Sequence, residues 1–126
     1  MTADPGVELP AYLPLPVVDG GLAVDRLEAW QVETSRRATE LCSALMLVDA
    51  GAVPAGDHDV IVDRIGEFRR RRDHDMAWAF GWLIGRGESM RTTFTGGDQL
   101  LAFETGRAAA MAESRRRMLA AAGGTT

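Results

Sequence analysis

The chain has 126 residues and a net charge of −4, and its ordinary apolar content suits one domain burying roughly two-thirds of its unfolded surface, not a disordered chain. Cys42 is the only cysteine, which excludes an internal disulfide and a thiolate-rich zinc site and fits a reducing compartment. All fourteen basic residues are arginine: residues 1–63 hold three of them against eleven acids, and residues 64–126 hold eleven against seven, so net acidity argues against nucleic acid although the second half is locally basic.

Residues 1–21 carry Pro5, Pro10, Pro14 and Pro16, which cannot continue a helix and push their predecessors toward extended backbone. Val7, Leu9, Tyr12, Leu13, Leu15, Val17 and Val18 make the segment too apolar for a solvated linker. An extended arm is therefore expected over residues 1–21, lying across its own helices or, the favoured arrangement, across another chain.

A helical domain is expected over residues 22–122, with about four helices, before a frayed tail at 123–126. Asp25 can cap the first helix, with Glu28 three residues on closing a capping-box-like start. Leu27, Trp30, Thr34, Ala38, Leu41, Leu45 and Val48 recur at steps of three or four, forming one helical stripe. Gly51 is placed to end it as the left-handed residue after the last turn.

Pro54-Ala55-Gly56 reads as a turn, and Asp57 or Asp59 can cap a second helix with Ile61, Ile65 and Phe68 inside. Arg69 to Arg72 cannot all share one helix face and read as a solvated or partner-facing collar. Met76 to Ile84 is apolar on all sides, with Trp78 and Trp82 four apart, and so is expected to be buried all round, partly by another subunit. It is too short to span a bilayer, which takes about 20 residues. Gly85 and Gly87 end this third helix, and Arg91 to Gly97 reads as a loop. Asp98 can cap the last helix, which runs through Leu100, Leu101, Phe103, Met111, Met118 and Leu119 to about Ala121. Its alanine-rich middle favours helix and permits close packing. No segment shows the alternation of a strand.

Asp57-His58-Asp59 and Asp73-His74-Asp75 repeat one tripeptide sixteen residues apart. Histidine beside carboxylate suits metal ligation or acid–base work, but on one continuous helix the two histidines fall on nearly opposite faces. Helix-start chemistry, with aspartate favouring the positive end of the dipole, is the preferred reading. Cys42 flanks the first helix's apolar stripe and reads as a small buried hydrophobe. Gly85-Arg86-Gly87 lacks the Lys-Ser/Thr of a phosphate loop. Neither a triad, a carboxylate pair nor a metal cluster is recognisable, so no chemistry is assigned to this chain and no cofactor or metal ligand is expected on it. The absence of a basic, then apolar, leader makes the cytoplasm the expected location.

Five landmarks occur in order: Val18-Asp19-Gly20-Gly21, Glu28-Ala29-Trp30, Ala50-Gly51-Ala52-Val53, Val62-Asp63-Arg64-Ile65, and Trp78-Ala79-Phe80-Gly81-Trp82-Leu83-Ile84-Gly85-Arg86-Gly87. This order, over roughly residues 14–90, resembles the helical N-terminal part of the nitrile hydratase β subunit and its relatives. Those relatives include thiocyanate hydrolase subunits and nitrile hydratase activator proteins. The resemblance implies an all-α chain whose arm and helices clamp a metal-bearing α subunit, in a hetero-oligomeric lyase that hydrates a small nitrile to an amide. Cobalt(III) or iron(III) would sit on the α subunit, whose Cys-x-x-Cys-Ser-Cys motif has no counterpart here. The family's C-terminal β-barrel half is expected on a separate chain. A second-helix arginine of the family, which hydrogen-bonds the metal-holding cysteines, falls on Asp59 in a gap-free match from Gly51. Arg64 is the nearest matching arginine and the candidate contact to the partner's metal cluster. The family's tyrosine pair is absent, with Arg71-Arg72 or His74 in its place. Two alternatives stand beside the subunit reading: a nitrile hydratase activator that visits α during metal insertion, and a helical regulatory or nucleic-acid adaptor using Arg69–Arg72 and Arg115–Arg117.

Overall fold

A computed structural model describes residues 9–51, 58–89, 94 and 96–123. The first eight arm residues, Ala52-Val53, the Pro54-Ala55-Gly56 turn, a cap at Asp57, most of the Arg91–Gly97 loop and residues 124–126 lie outside the described residues. Within them the chain is helical apart from an arm at residues 9–16 without regular structure, a small hairpin and short connecting stretches, and it falls into two compact units. The first joins the described arm residues up to Pro14 with Arg26–Arg72; the second joins Leu15–Asp25 with the described residues from Asp73 onward.

Helix α1, Leu27–Asp49, buries Trp30, Thr34, Leu41, Ala44 and Val48, which is the face the apolar spacing marks out. Thr34 is tolerated in this core because its hydroxyl donates to the Trp30 carbonyl at 2.6 Å, leaving no buried donor unmet. The start differs from expectation. Asp25 lies in a 3-10 turn, Val24–Arg26, and Arg26 holds the cap position with no side-chain hydrogen bond. The end is as expected: Gly51 has φ +79° and its N–H donates to the Val48 carbonyl at 3.0 Å. A β-carbon disfavours that backbone conformation, so glycine is the residue for it.

Helix α2, His58–Gly85, is unbroken, which replaces the expected second and third helices with one; the described helices number three. The break was expected from the aspartates of Asp73-His74-Asp75. An aspartate caps only where backbone N–H groups lack intrahelical acceptors, and here the preceding turns supply them. No proline or glycine between Phe68 and Met76 interrupts the run. Its first half completes the first unit: Ile61, 1% exposed, packs with Ala44 and Val48, and Leu9, Leu45 and Ile65 cover the cluster. Burying a side chain such as Ile61 contributes about 1.5–3 kcal/mol.

The second half of α2 meets α3, Gly97–Gly123, in the second unit. No residue from Met76 to Gly85 is exposed, and Ala77, Ala79, Gly81 and Trp82 are buried. A β-carbon added at Gly81 would stand 1.9 Å from the Phe103 carbonyl oxygen, and one at Gly106 would stand 2.1 Å from the Trp78 carbonyl oxygen. The two backbones therefore touch, and only hydrogen fits between them. This contact decides which face of α3 is inside. Ala102, Gly106 and Ala110 are buried, while Leu100, Leu101, Met111, Met118 and Leu119 are exposed. α3 also starts one residue before the expected cap, so Asp98 stands in its first turn, where a carboxylate favours the dipole. α2 stops in a complete Schellman turn: Gly87 at φ +97° donates to Ile84, and Glu88 donates to the Leu83 carbonyl.

The same unit contains a strand pair. Val17–Val18 (β1) pairs antiparallel with Gly21–Leu22 (β2), Val17 opposite Leu22 and Val18 opposite Gly21. Asp19 and Gly20, at φ +53° and +81°, make the two-residue turn whose twist matches paired strands. Such a short pair has no visible alternation, which is why the sequence reads as non-strand. Gly21 faces the Trp82 ring so closely that a β-carbon there would lie 2.8 Å from it.

The glycines separate cleanly in a stability series. Gly81→Ala and Gly106→Ala should each cost at least about 2 kcal/mol, because backbone cannot move aside as a side chain does. Gly66→Ala, whose new β-carbon meets only the flexible end of Arg70 at 3.4 Å, should stabilise by about 0.5–1 kcal/mol. Urea denaturation of the three variants checks the sign of each change.

Candidate functional site

The first unit holds its own arm in a clamp. An extended Pro-rich segment makes no hydrogen bonds within itself, so its carbonyls must be met from outside. Leu9 packs on the Ala44–Val48–Ile61 cluster. Arg64 Nη1 donates to the Pro10 carbonyl at 3.4 Å, and Arg37 Nη1 to the Ala11 carbonyl at 2.8 Å. The Tyr12 ring sits edge-on to Phe68, with centroids 5.0 Å apart, and the Arg71 guanidinium lies 4.4 Å from the Tyr12 centroid. Trp30 Nε1 donates to the Leu13 carbonyl at 2.9 Å. Five successive arm residues are thus each caught by a different helix residue. Leu9 to Leu13 therefore lie on the chain's own helices.

Trp30 is suited to this role because its body fills the core while its N–H needs an acceptor. Arg37 is aimed by Glu33, which accepts from Arg37 Nε at 2.8 Å and from Arg36 Nε at 2.9 Å. The hydrogen bond from Arg36 first, and that from Arg37 second, hold the Glu33 carboxyl at about 2, well below its ordinary value. Arg36 also bonds Glu40. Sequence reasoning missed the arm anchors Arg37 and Arg64, whose acceptors lie far away in the chain and leave no periodic signal.

Arg64, the candidate contact to a metal cluster, is half-buried and edges an open recess of about 250 Å³ beside the arm, with Tyr12, Glu67 and Arg71. Cys42 is exposed, a correction to the buried thiol expected; it edges a smaller recess with Leu41, Phe68, Arg69 and Arg72. The arginine collar is therefore divided: Arg71 covers Tyr12, while Arg69 and Arg72 flank the recess beside Cys42. Arg116 and Arg117 both pair with Glu113.

The two Asp-His-Asp tripeptides do different things from one another. His58 opens α2 and lies 3.7 Å from Asp49 and 3.3 Å from Asp59, with Asp59 in the first turn. His74 lies mid-helix, 3.5 Å from Asp75, so the second tripeptide starts nothing. One continuous helix contains both histidines. Among the described residues, no group of three or more His, Cys, Asp or Glu side chains is placed to hold a metal ion, and no helix is long and apolar enough to cross a membrane.

In the second unit, Trp78 and Trp82 stack at 5.7 Å with planes 13° apart, and Phe80, Phe94 and Phe103 form a second ring chain. Trp82 Nε1 is buried with no hydrogen-bond partner among the described residues. Gly85 closes α2, and Arg86-Gly87 forms the turn that follows it.

Trp30→Phe deletes the donor to Leu13 and also shrinks a buried ring, so it should cost at least about 2 kcal/mol and speed amide exchange over residues 11–15. The Glu33 link has a defined pH sign. A folded pKa lowered from 4.5 to about 2 gives stabilisation that is complete above 4.5 and is lost as pH falls toward 2. Carboxyl NMR should place the Glu33 midpoint in that low range in the wild type and return it toward 4.5 when Arg36 and Arg37 are both replaced by glutamine. No family model, curated protein or solved structure matches the chain.

Proposed function

We propose that this chain is a non-catalytic helical subunit that grips another chain, and that the gripped chain is the metal-bearing α subunit of a nitrile hydratase-type enzyme. The support is the role of Trp30. Trp30, in one of the five landmarks whose order carries the resemblance, ties the arm to α1 through the Leu13 carbonyl. The other landmarks also have folding roles: Asp19-Gly20 turns the hairpin, Gly51 and Gly87 end helices, and Trp78 stacks on Trp82.

On this reading the metal, cobalt or iron, belongs to α and acts there as a Lewis acid toward the nitrile or its attacking oxygen. This chain shapes and shields that centre from outside. Arg64 is placed at the edge of an open recess and spends one donor on a long hydrogen bond to the Pro10 carbonyl, and a guanidinium with five N–H groups has further donors to offer an oxidised cysteine of α. A separate β-barrel chain completes the assembly.

The test is a tagged pull-down of the full chain from its native host, with partner identification and metal analysis. The expected outcome is a stoichiometric chain bearing a Cys-x-x-Cys-Ser-Cys motif together with cobalt or iron, while this chain purified by itself is metal-free and inactive. Sub-stoichiometric recovery, restricted to metal loading, would identify an activator instead. Stoichiometric metal on the isolated chain, or recovery only with nucleic acid, refutes the proposal.

A further inference from the structure

Two recesses open beside α2 in the first unit, and their arginines are provided for differently. In the recess by the arm each guanidinium has a partner built in: Arg71 lies 4.0 Å from Glu67 and over the Tyr12 ring, and Arg64 donates to the Pro10 carbonyl. The recess beside Cys42 has no such provision. Arg69 and Arg72 line it, and neither makes a hydrogen bond or ion pair with a described residue. Three residues apart on one helix, the two stand on the same face.

The rest of the lining is apolar. Leu41 and Phe68 are buried beneath the recess, Ile65 is half-buried beside them, and no described carboxylate side chain lines the space. Arg72 is itself half-buried, against a lining that offers its donors nothing to bond. A guanidinium matches a carboxylate in plane and in the direction of its hydrogen bonds. The space, about 80 Å³, admits one compact apolar group and is too small for a helix or a strand. Shape and charge together therefore select an anion whose remainder is small and apolar.

We propose that the recess between α1 and α2 beside Cys42 is a binding site for a small organic acid, a carboxylate joined to one compact aromatic or branched alkyl group. The apolar group packs on Leu41, Ile65 and Phe68, and the carboxylate accepts from Arg69 and Arg72. A ligand of about ten heavy atoms in so open a site binds with a dissociation constant on the order of millimolar. The site is separate from the recess that Arg64 edges, and the inference does not depend on the nitrile hydratase reading.

Cys42 is the chain's only thiol and borders the recess, so its alkylation reports occupancy. The full purified chain is treated with iodoacetamide in sodium phenylacetate, against sodium chloride of equal ionic strength, and followed by intact mass. Phenylacetate should slow alkylation saturably, and phenylacetamide, of the same shape without the charge, should protect at least about tenfold more weakly. Arg69→Gln with Arg72→Gln should raise the half-protecting concentration at least about tenfold while leaving the helical circular dichroism unchanged. Arg70→Gln, at an exposed arginine outside the recess, should leave it within about twofold, because salt screens a charge that touches no ligand. Alkylation at the chloride rate throughout overturns the proposal. So does equal protection by phenylacetamide, undiminished protection of the double variant, or an equal loss in Arg70→Gln.

Discussion

The second unit depends on two helix backbones coming into contact. Gly81 and Gly106 leave room for carbonyl oxygens at positions where any side chain would collide. Once α2 and α3 are that close, the large rings near the contact must lie beside it. Trp78 and Trp82 stack along α2, the hairpin glycine lies close to the Trp82 ring, and Phe103 reaches Phe94. Dispersion between closely packed backbones is a sum of many small terms, so it is strong only while the fit is complete.

The first unit is organised on a different principle. Its helices meet through ordinary aliphatic side chains around Ile61, and its specificity lies in how it handles a strand that cannot bond to itself. Two arginines and a tryptophan supply donors to the carbonyls, and two side-chain contacts, Leu9 in the core and Tyr12 between Phe68 and Arg71, set the register. Arginine serves well here because one planar group can bond a carbonyl while a carboxylate such as Glu33 fixes its orientation.

Much of the local architecture was legible in the residues. The α1 stripe, the glycine stops at 51 and 87 and the Trp78–Trp82 pair all follow from helical spacing and backbone preference, which are short-range rules. What was not legible depends on distance or on context. Whether Asp73 and Asp75 start a helix depends on whether the preceding turns already supply acceptors. Which face of α3 turns inward depends on how near α2 comes, and the answer there favours small residues over large ones. The acceptors of Arg37 and Arg64 lie 26 and 54 residues away, beyond any periodic pattern. The candidate site was legible only through the order of landmarks, because single residues such as Trp30 and Arg64 carry no motif of their own.

The arm's attachment is largely indifferent to the arm's identity. Three of its five anchors hold main-chain oxygens, which every amino acid presents. Ala11, whose side chain makes none of these bonds, and Pro14 are exposed on the seated arm. Inheritance can therefore rewrite the outward face of this segment without unseating it. A grip on backbone separates two properties that usually change together: how firmly a segment is held, and what it displays to its surroundings.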